Sequence, residues 1–327
     1  MTVRGTVLAA GLVVCAVLVG LALPVAAGIY PVAQLVSFRA VIGLGALGIA
    51  AVLVALPRRR RVLFPLVVAF AVGALAQVGV LAYRSVPLGP AAGAGPDDGA
   101  GSDDRVVVLS FNTLDVVTPA ELFALISAHH ADVVVLPETS HRTGVEVAAL
   151  MAQTGRPMQV RTAGGTRGFV SGTTLLVGER LGSYGASTSL PTRFGSLRVE
   201  PEDPASPVIV AAHPISPGAR SSMEAWRQDT ALIAHTCATT PGAIVAGDLN
   251  ATLDHPGLRN LGPCVDAARE VGEASQGTWP SSAPTLLAAP IDHVLVDGRA
   301  WRVVDFSVLP ATGGSDHRPI VAILERR

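Results

Sequence analysis

The sequence has 327 residues, of which 50% are apolar and only 15% are charged, and its mean hydropathy is +0.48. This composition excludes a disordered chain and is unusual for a protein that is soluble throughout. All 24 basic residues are arginine, which excludes a lysine nucleophile or a phosphate-loop lysine. A net charge of -1 gives no attraction to a polyanion, and three cysteines cannot form a four-cysteine zinc site.

Three long apolar runs occupy the N-terminal quarter of the chain, at residues 6–29, 33–56 and 62–83. They consist almost entirely of Ala, Val, Leu, Gly and Ile, and none has the polar face that a helix of a soluble protein would need. At about 1.5 Å of rise per residue, each run can cross a hydrocarbon core of roughly 30 Å. The pattern predicts three transmembrane helices in a membrane anchor over residues 1–86.

The arginines predict the orientation of this anchor. Arg4 precedes the first run, and Arg58 to Arg61 fill the loop between the second and third runs. The positive-inside rule places both in the cytoplasm, so that three crossings leave the rest of the chain outside. Arg39, inside the second run, is expected to snorkel to the outer interface. A cleaved signal peptide over residues 1–28 is the alternative, and it leaves the C-terminal region on the same side.

A stretch rich in Gly, Pro, Ala and Asp at residues 87–104 is typical of a flexible linker. Residues 105–327 form the third predicted unit, an α/β domain with 17 Arg against 21 Asp plus Glu, a net charge of -4. Its many β-branched runs and few helices favour two packed sheets with helices outside. Strands are predicted at residues 106–111, 131–136, 173–177, 197–200, 208–212, 243–246, 291–296, 303–309 and 320–324, and helices at 119–129, 222–238 and 266–270.

Polar side chains follow or open nearly every predicted strand of this domain. They are Asn112, Glu138, His213, Asp248, Asn250, Asp292, Asp316 and His317. Each alone has a structural explanation, since Asn112 is a common turn residue and Asp248 with Asn250 fits an Asx turn. Strand ends are nevertheless where α/β folds collect ligands, and several oxygen donors with two imidazoles suit Mg²⁺ better than zinc. Hydrolysis of a phosphate ester requires such a set.

The motifs that carry these residues occur in a specific order. They read SFNTL, LPETS, AAHP, GDLNAT, GTWP, IDHVLV and SDHRPI. This ordered set resembles the endonuclease/exonuclease/phosphatase family, whose members include DNase I-like nucleases, inositol polyphosphate 5-phosphatases and bacterial sphingomyelinases. The resemblance covers Arg105 to Leu324. It implies a DNase I-like two-sheet, four-layer sandwich and metal-dependent hydrolysis of phosphate esters.

The resemblance also implies roles for individual residues. Asn112 and Glu138 resemble the first metal and phosphate ligands, and Asp316 resembles a second carboxylate near the metal, which would be Mg²⁺ or, as the alternative, Mn²⁺. Trp279, together with Thr278, resembles the family's substrate-side loop, although packing on the core explains Trp279 equally well.

The same resemblance implies the catalytic residues. His213 is similar to the histidine that contacts the phosphate and in nucleases protonates the leaving group. Asp248 is similar to the acid that positions or deprotonates water, and Asn250 to the amide that holds a phosphate oxygen. Asp292 resembles the partner that orients His317, the central imidazole. The resemblance leaves open which of these residues is the general base.

The sequence departs from the family pattern in two respects. Leu114 stands where some family nucleases place an acid, which disfavours a second tight metal site. The domain is also short, at about 220 residues, and it lacks the basic loops that hold duplex DNA in larger nucleases. We therefore expect a membrane-anchored phosphodiesterase that acts on nucleic acid or on phospholipid headgroups, with lipid contacted through the anchor and no protein partner inferred.

Three alternatives remain open from the sequence. The first is a phosphomonoesterase acting on inositol phosphates or nucleotides, and the second is a catalytically silent sensor of a phosphorylated ligand. The third is a transport module with an accessory domain, which the scarcity of ionisable residues in the apolar runs disfavours. Outside the cytoplasm Cys237 and Cys264 could form a disulfide, whereas Cys15 is a small apolar residue of the first run.

Overall fold

The structure is a computed structural model that describes residues 3–23, 26–56, 59–88, 105–165 and 172–327. The predicted linker therefore lies largely outside the described residues, as do Val25, within the alternative signal peptide, and Arg58. The described chain forms a small bundle of apolar helices followed by an α/β domain.

The N-terminal bundle contains four helices: α1 (Val3–Ala22), α2 (Val32–Val36), α3 (Arg39–Val54) and α4 (Arg60–Arg84). In length and composition, α1 and α4 alone among the described helices qualify as candidate membrane spans. The prediction of three membrane helices is therefore wrong for the second run. That run is interrupted before α3, whose 16 residues extend only about 24 Å, less than a hydrocarbon core.

The interruption occurs at Phe38, whose backbone (φ -115°, ψ 51°) is not helical. The next residue, Arg39, is buried and does not snorkel to an interface as expected: its Nε donates to Asp254 Oδ2 at 2.7 Å and its Nη1 to Gln77 Oε1 at 2.8 Å. The chain therefore turns at Phe38 so that the guanidinium reaches a carboxylate of the α/β domain, a partner that hydropathy alone does not reveal.

The α/β domain consists of two six-stranded sheets packed face to face. The first has the order β11-β12-β1-β2-β4-β3 and the second β5-β6-β7-β8-β10-β9. The strands are β1 (Arg105–Ser110), β2 (Val133–Pro137), β3 (Met158–Ala163), β4 (Thr173–Gly178), β5 (Thr188–Leu190), β6 (Ser196–Val199), β7 (Ile209–Ala212), β8 (Ile244–Asp248), β9 (Cys264–Asp266), β10 (Asp292–Asp297), β11 (Trp301–Val308) and β12 (Ile320–Arg326). This arrangement confirms the predicted two-sheet sandwich.

The core lies between the sheets, where inward-facing residues of both are fully buried, among them Val135, Leu197 and Val294. Helices cover the outer faces: α5 (Pro119–Ala128) and α6 (His141–Gln153) pack on the first sheet, and α7 (Met223–Thr239) packs on the second. A short helix, α8 (Ala267–Val271), follows β9. Strands buried on both faces explain the continuous apolar runs seen in the sequence.

Local signals of the sequence fix several element ends. Thr118 caps α5 and forms the predicted capping box with Glu121, whose carboxylate accepts from the Thr118 backbone N–H at 2.9 Å. Ser140 caps α6 in the same way through its hydroxyl. In β8, a Cβ at Gly247 would lie 1.8 Å from the carbonyl oxygen of Ala212, so that only glycine allows β7 and β8 to pair there.

Cys237 of α7 and Cys264 of β9 form the disulfide that the sequence analysis considered, with Cα atoms 6.2 Å apart. It fastens α7 to the edge strand of the second sheet. Replacing both cysteines by serine should lower the free energy of unfolding by about 3 kcal/mol, because the bond closes a loop of 27 residues in the unfolded chain. Urea unfolding of the two proteins measures this difference, with Cys15→Ser as the control. Alkylation of all three cysteines in the unreduced wild type, and not of Cys15 alone, would contradict the pairing.

The helical bundle docks on the α/β domain through polar contacts. One oxygen of Asp254 accepts from Arg39 and, also at 2.7 Å, from Arg84 at the end of α4. His255 accepts from the Thr252 backbone N–H at Nδ1 (2.7 Å) and donates from Nε2 to Ala33 O of α2 (3.0 Å). The imidazole is therefore neutral, and burial lowers its pKa to about 4 although the bond to Ala33 and the charge of Asp254 oppose the shift.

This histidine predicts an acid-sensitive stability. The unfolded chain binds a proton at His255 near pH 6.5 and the folded chain only near pH 4, so stability falls as the pH falls between these values, by about 1.4 kcal/mol per pH unit. His255→Gln should flatten this dependence when unfolding of the detergent-solubilised protein is compared at pH 7 and pH 5. His235→Gln, on the exposed face of α7, is the control. Equal slopes in all three proteins would refute the prediction.

Candidate active site

The polar residues at the strand ends come together because of the strand directions. β1 and β2 run parallel, as do β7 and β8, so that their carboxyl ends lie at one edge of each sheet. β10 is antiparallel to β8, which sets its first residue, Asp292, opposite Asp248. β12 is antiparallel to β1, which brings the loop before it to the same edge. The two edges meet at one end of the sandwich.

Asp248, Asp292 and His317 form the buried centre of this site, with one ligand atom from each within 4.8 Å of the others. His317 Nδ1 is 2.8 Å from Asp292 Oδ2, and its Nε2 is 3.7 Å from Asp248 Oδ2. Burial alone would lower the pKa of His317, but the charges of the two carboxylates and the hydrogen bond to Asp292 raise it to about 10. Burial raises the pKa of Asp248 to about 7, opposed by the charge of His317. The centre thus holds a cationic imidazole between two carboxylates.

Asn112 and Glu138 lie beside this centre. The Asn112 Nδ2 group donates to Glu138 Oε1 and to Asp248 Oδ2, both at 3.1 Å, and so holds the two carboxylates at a fixed separation. Its own oxygen accepts from the Leu114 backbone N–H at 3.0 Å. Glu138 has a left-handed backbone (φ 50°), which costs free energy for a non-glycine residue and turns its side chain out of the strand. Local strain therefore presents this carboxylate to the cavity.

His213 follows β7 and lies under the carboxylates. Its Nε2 is 3.7 Å from Asp248 Oδ2 and 3.8 Å from Glu138 Oε1, and both ring nitrogens are buried without a hydrogen-bond partner among the described residues. Burial, with a smaller contribution from the charge of His317, lowers its pKa to about 3, so the ring is neutral. The Phe194 ring, 5.0 Å away, packs against it. A buried imidazole without a partner is a position where a ligand atom would complete the bonding.

Asn250 and Asp316 complete the predicted set. Asn250 has φ 48°, its backbone N–H donates to Asp248 Oδ1 at 2.8 Å, and its side chain donates to Pro214 O at 3.1 Å. Asp316 Oδ2 accepts from the Trp279 indole at 2.9 Å, whereas its Oδ1 is buried and has no hydrogen-bond partner in the described part of the chain. Trp279 is therefore held at the site by a hydrogen bond. Thr278 is buried, and its hydroxyl accepts from the backbone N–H of Ile291 and Asp292, which fixes the start of β10.

A cavity of about 330 Å³ opens over these groups. Glu138, Asp248, Asn250, Trp279, Asp316 and His317 line it, and Thr278 is not among the described lining residues. Leu114, which the sequence had already marked, also lines it. Residues that the sequence did not indicate line it too: Phe194, Ser216 and, from the N-terminal region, Gln34, Ser37 and Phe38. The site-forming role of the last three depends on how the helical bundle docks. The only signal in the sequence was Arg39, a single charge within an apolar run.

Comparison with known sequences agrees with this geometry. The sequence model of the Endonuclease/Exonuclease/phosphatase family matches residues 109–317. The chain belongs to this family. Being a member of the endonuclease/exonuclease/phosphatase family, it is an enzyme that hydrolyses phosphate esters, and dependence on a divalent metal is typical of the family. A search of the curated proteins finds no match.

Solved structures of endonuclease/exonuclease/phosphatase proteins share the fold. One from Beutenbergia cavernae is 18% identical over 68% of this chain and 72% of its own, with a TM-score of 0.52. D. rerio TDP2 complexed with a single-strand DNA product is 15% identical over 68% and 99% of the two chains, with a TM-score of 0.51. The human Nocturnin catalytic domain with bound sulfate is 16% identical over 68% and 94%, also with a TM-score of 0.51. At these identities the likeness establishes the sandwich fold.

The residues present also suit the divalent metal that is typical of the family. Carboxylate oxygens predominate at the site, which favours a hard cation. The buried and unpartnered Oδ1 of Asp316, together with Glu138 at the cavity wall, offers oxygen donors without breaking an existing bond. The Asp248–Asp292–His317 group is less suited, because Asp292 and His317 are already bonded to each other and the imidazole is protonated.

Proposed function

We propose that this protein is a membrane-anchored phosphodiesterase that depends on Mg²⁺, or on Mn²⁺, and that its catalytic domain lies outside the cytoplasm. One observation carries the chemical part: a buried Asp–His pair, Asp292 and His317, lies beside Asp248 and Glu138 at the floor of one cavity. A protonated imidazole and an acidic set of this kind suit charge stabilisation and water activation at a phosphate.

The proposed mechanism assigns the following roles. Glu138 and Asp316 hold the metal, which when bound neutralises charge on the phosphoryl oxygens. Asn112 keeps Glu138 and Asp248 apart by donating to both. Together, Glu138, Asp316 and Asn112 prepare the site for an anionic substrate.

The remaining residues act on the phosphate and on water. His317, kept protonated and oriented by Asp292, donates a hydrogen bond from Nε2 to a phosphoryl oxygen. Asp248 positions the attacking water, and the Asn250 side chain, at the cavity wall, contacts another phosphate oxygen. His213 lies below them, and its neutral ring can donate a hydrogen bond from its N–H group toward the phosphate.

Two features support the location of the domain outside the cytoplasm. The domain contacts the end of the bundle formed by the start of α3 and the end of α4, whereas Arg59 and Arg61 lie at the opposite end, at the start of α4. Under the positive-inside rule the arginine end faces the cytoplasm. The Cys237–Cys264 disulfide suits an oxidising compartment. We keep residues 1–86 as the anchor and 105–327 as the catalytic domain in this proposal.

A reporter experiment tests this orientation. Alkaline phosphatase fused after Arg327 should be active in intact cells, and green fluorescent protein at the same position should be dark when exported through the Sec pathway. The same two reporters fused within the arginine-rich turn, after Arg61, should give the opposite pair of signals. A fluorescent C-terminal fusion with an inactive phosphatase would place the catalytic domain in the cytoplasm.

The activity test uses the full-length protein in detergent with Mg²⁺, Mn²⁺ or EDTA. Bis-nitrophenyl phosphate, nitrophenyl phosphate, plasmid DNA and sphingomyelin form the substrate panel. We expect hydrolysis of diesters that EDTA abolishes and either cation restores. Preferential hydrolysis of nitrophenyl phosphate would identify a phosphomonoesterase. No hydrolysis by a protein whose Tm still rises with Mg²⁺ would overturn the proposed activity in favour of a silent sensor.

A further inference from the structure

The N-terminal helical region forms part of the active-site cavity. Gln34 of α2, with Ser37 and Phe38 of the interruption before α3, lines the same cavity as Glu138 and His317. The ring of Phe38 lies 6.0 Å from that of Trp279, at a tilted angle of 52°. One wall of the cavity therefore comes from the catalytic domain and the facing aromatic contact comes from the helical bundle.

Buried polar contacts hold this wall in place. Asp254 accepts from Arg39, next to Phe38, and from Arg84, and all three side chains are largely buried. Removing one member of such a cluster leaves an uncompensated buried charge, which is strongly destabilising. His255 and Pro217 bind α2 on either side of the wall, through Ala33 O and the Gln34 amide respectively. The position of Phe38 is thus fixed by directional contacts and not by apolar contact alone.

The cavity has one acidic, metal-suited end, and apolar side chains predominate on its other walls beside the polar Gln34, Ser37 and Ser216. Leu114, Phe194, Ala289 and Ile291 add to the apolar surface of Phe38 and Trp279. No arginine occurs among the described residues that line it, and the catalytic domain carries a net charge of -4. Nucleic-acid sites, by contrast, track the phosphate backbone with basic side chains.

Exposed leucines occur on the segments that contribute residues to the cavity and on their neighbours. Leu114 is 43% exposed and Leu286, in a turn that packs against α3, is 57% exposed. On the bundle itself, Leu35 of α2 is 46% exposed. Exposed apolar side chains therefore occur on both the catalytic domain and the helical bundle, on segments that lie close in the chain to lining residues, which suits entry of an apolar chain.

We infer that the cavity binds an amphiphilic phosphate ester, with its apolar chain against Phe38 and Trp279 and its phosphate at Glu138 and His317. The inference rests on the proposed function and narrows its substrate class. Phe38 is then a specificity-determining residue contributed by the helical region, and the substrate enters from the bilayer surface.

Two diesters that differ only in chain length test the inference, dodecyl 4-nitrophenyl phosphate and methyl 4-nitrophenyl phosphate. In both, water attacks phosphorus and the bond to the nitrophenol oxygen breaks, leaving an alkyl phosphate and 4-nitrophenol. With the full-length protein in detergent micelles, we expect kcat/KM to be at least about tenfold higher for the dodecyl ester. Phe38→Ala should lower this ratio about tenfold. Phe64→Ala, an exposed aromatic of α4 away from the cavity, should leave it unchanged.

A second variant and a binding measurement make each outcome decisive. Ser37→Asp, which places a carboxylate in the same wall, should lower the ratio as well, while the Tm reports whether either variant is folded. Equal kcat/KM for the two esters in the wild type overturns the inference. Hydrolysis of neither ester overturns the proposed function instead. Binding of dodecyl phosphate, measured by tryptophan fluorescence, then tests whether the apolar chain binds against Phe38. Weaker binding to Phe38→Ala supports the inferred binding site, and unchanged binding refutes it.

Discussion

Replacing His317 by alanine is expected to lower kcat by at least about 10³-fold in a protein that still folds, although its Tm falls because two buried carboxylates lose their cationic partner. The substitution removes the cationic imidazole that lies 2.8 Å from Asp292 and 3.7 Å from Asp248, and it leaves two buried carboxylates facing each other. Hydrolysis of bis-nitrophenyl phosphate measures the loss. His235→Ala on the exposed face of α7 is the matched control and should retain full activity.

The variant Asp292→Asn tests whether the charge of Asp292 is needed to keep His317 protonated. The charge of Asp292 raises the pKa of His317, so its removal lowers that pKa from about 10. If the protonated imidazole is the active form, the fall of kcat/KM at alkaline pH should begin at a lower pH in the variant. Near-normal turnover by His317→Ala, or an alkaline limb that does not move in Asp292→Asn, would remove the Asp–His pair from the mechanism.

Glu138→Gln is expected to raise the Mg²⁺ concentration needed for half-maximal activity by more than about 100-fold. The variant keeps the shape of the side chain and its position beside Asn112, but it loses the carboxylate charge that a hard cation requires. A readout independent of turnover is the rise in Tm on addition of Mg²⁺, which follows from binding to the folded state only. That rise should disappear in the variant.

The control for this experiment is Glu146→Gln. Glu146 is a half-exposed carboxylate on α6 that pairs with Arg142 and should respond to Mg²⁺ as the wild type does. Should Glu138→Gln bind Mg²⁺ with unchanged affinity, the metal would have to lie at the Asp248 side of the site.

The arrangement of the site could be predicted largely from the sequence because it depends on strand ends. Each polar residue lies within four positions of a buried apolar run, and parallel neighbours such as β1 and β2 bring Asn112 and Glu138 to the same edge. The Thr118 capping box likewise marked the start of α5 within one turn. These patterns involve residues that are close together in the sequence, so they can be interpreted without knowing the tertiary structure.

Other elements could not be located because their signals are weak or non-local. The strands β5 and β9 have only three residues each, which is too short to show an alternation of apolar and polar residues. The helix α6 was missed although Ser140 caps it and Gly144, Val147 and Met151 give a buried helical stripe. The interruption at Phe38 depends on Asp254, more than two hundred residues away, which a hydropathy window cannot include.

The shared carboxylate of Asp254 has a practical consequence for inhibitor discovery. A soluble fragment that starts at residue 105 would lack both guanidinium partners of this carboxylate and the aromatic wall contributed by Phe38. Compounds selected against such a fragment would be fitted to a wider cleft that lacks one wall. The carboxylate of Asp254 would be solvated by water there instead of being paired with arginine. Screening the intact chain in a lipid-like environment would instead select compounds that fit the complete cavity, including the wall contributed by Phe38.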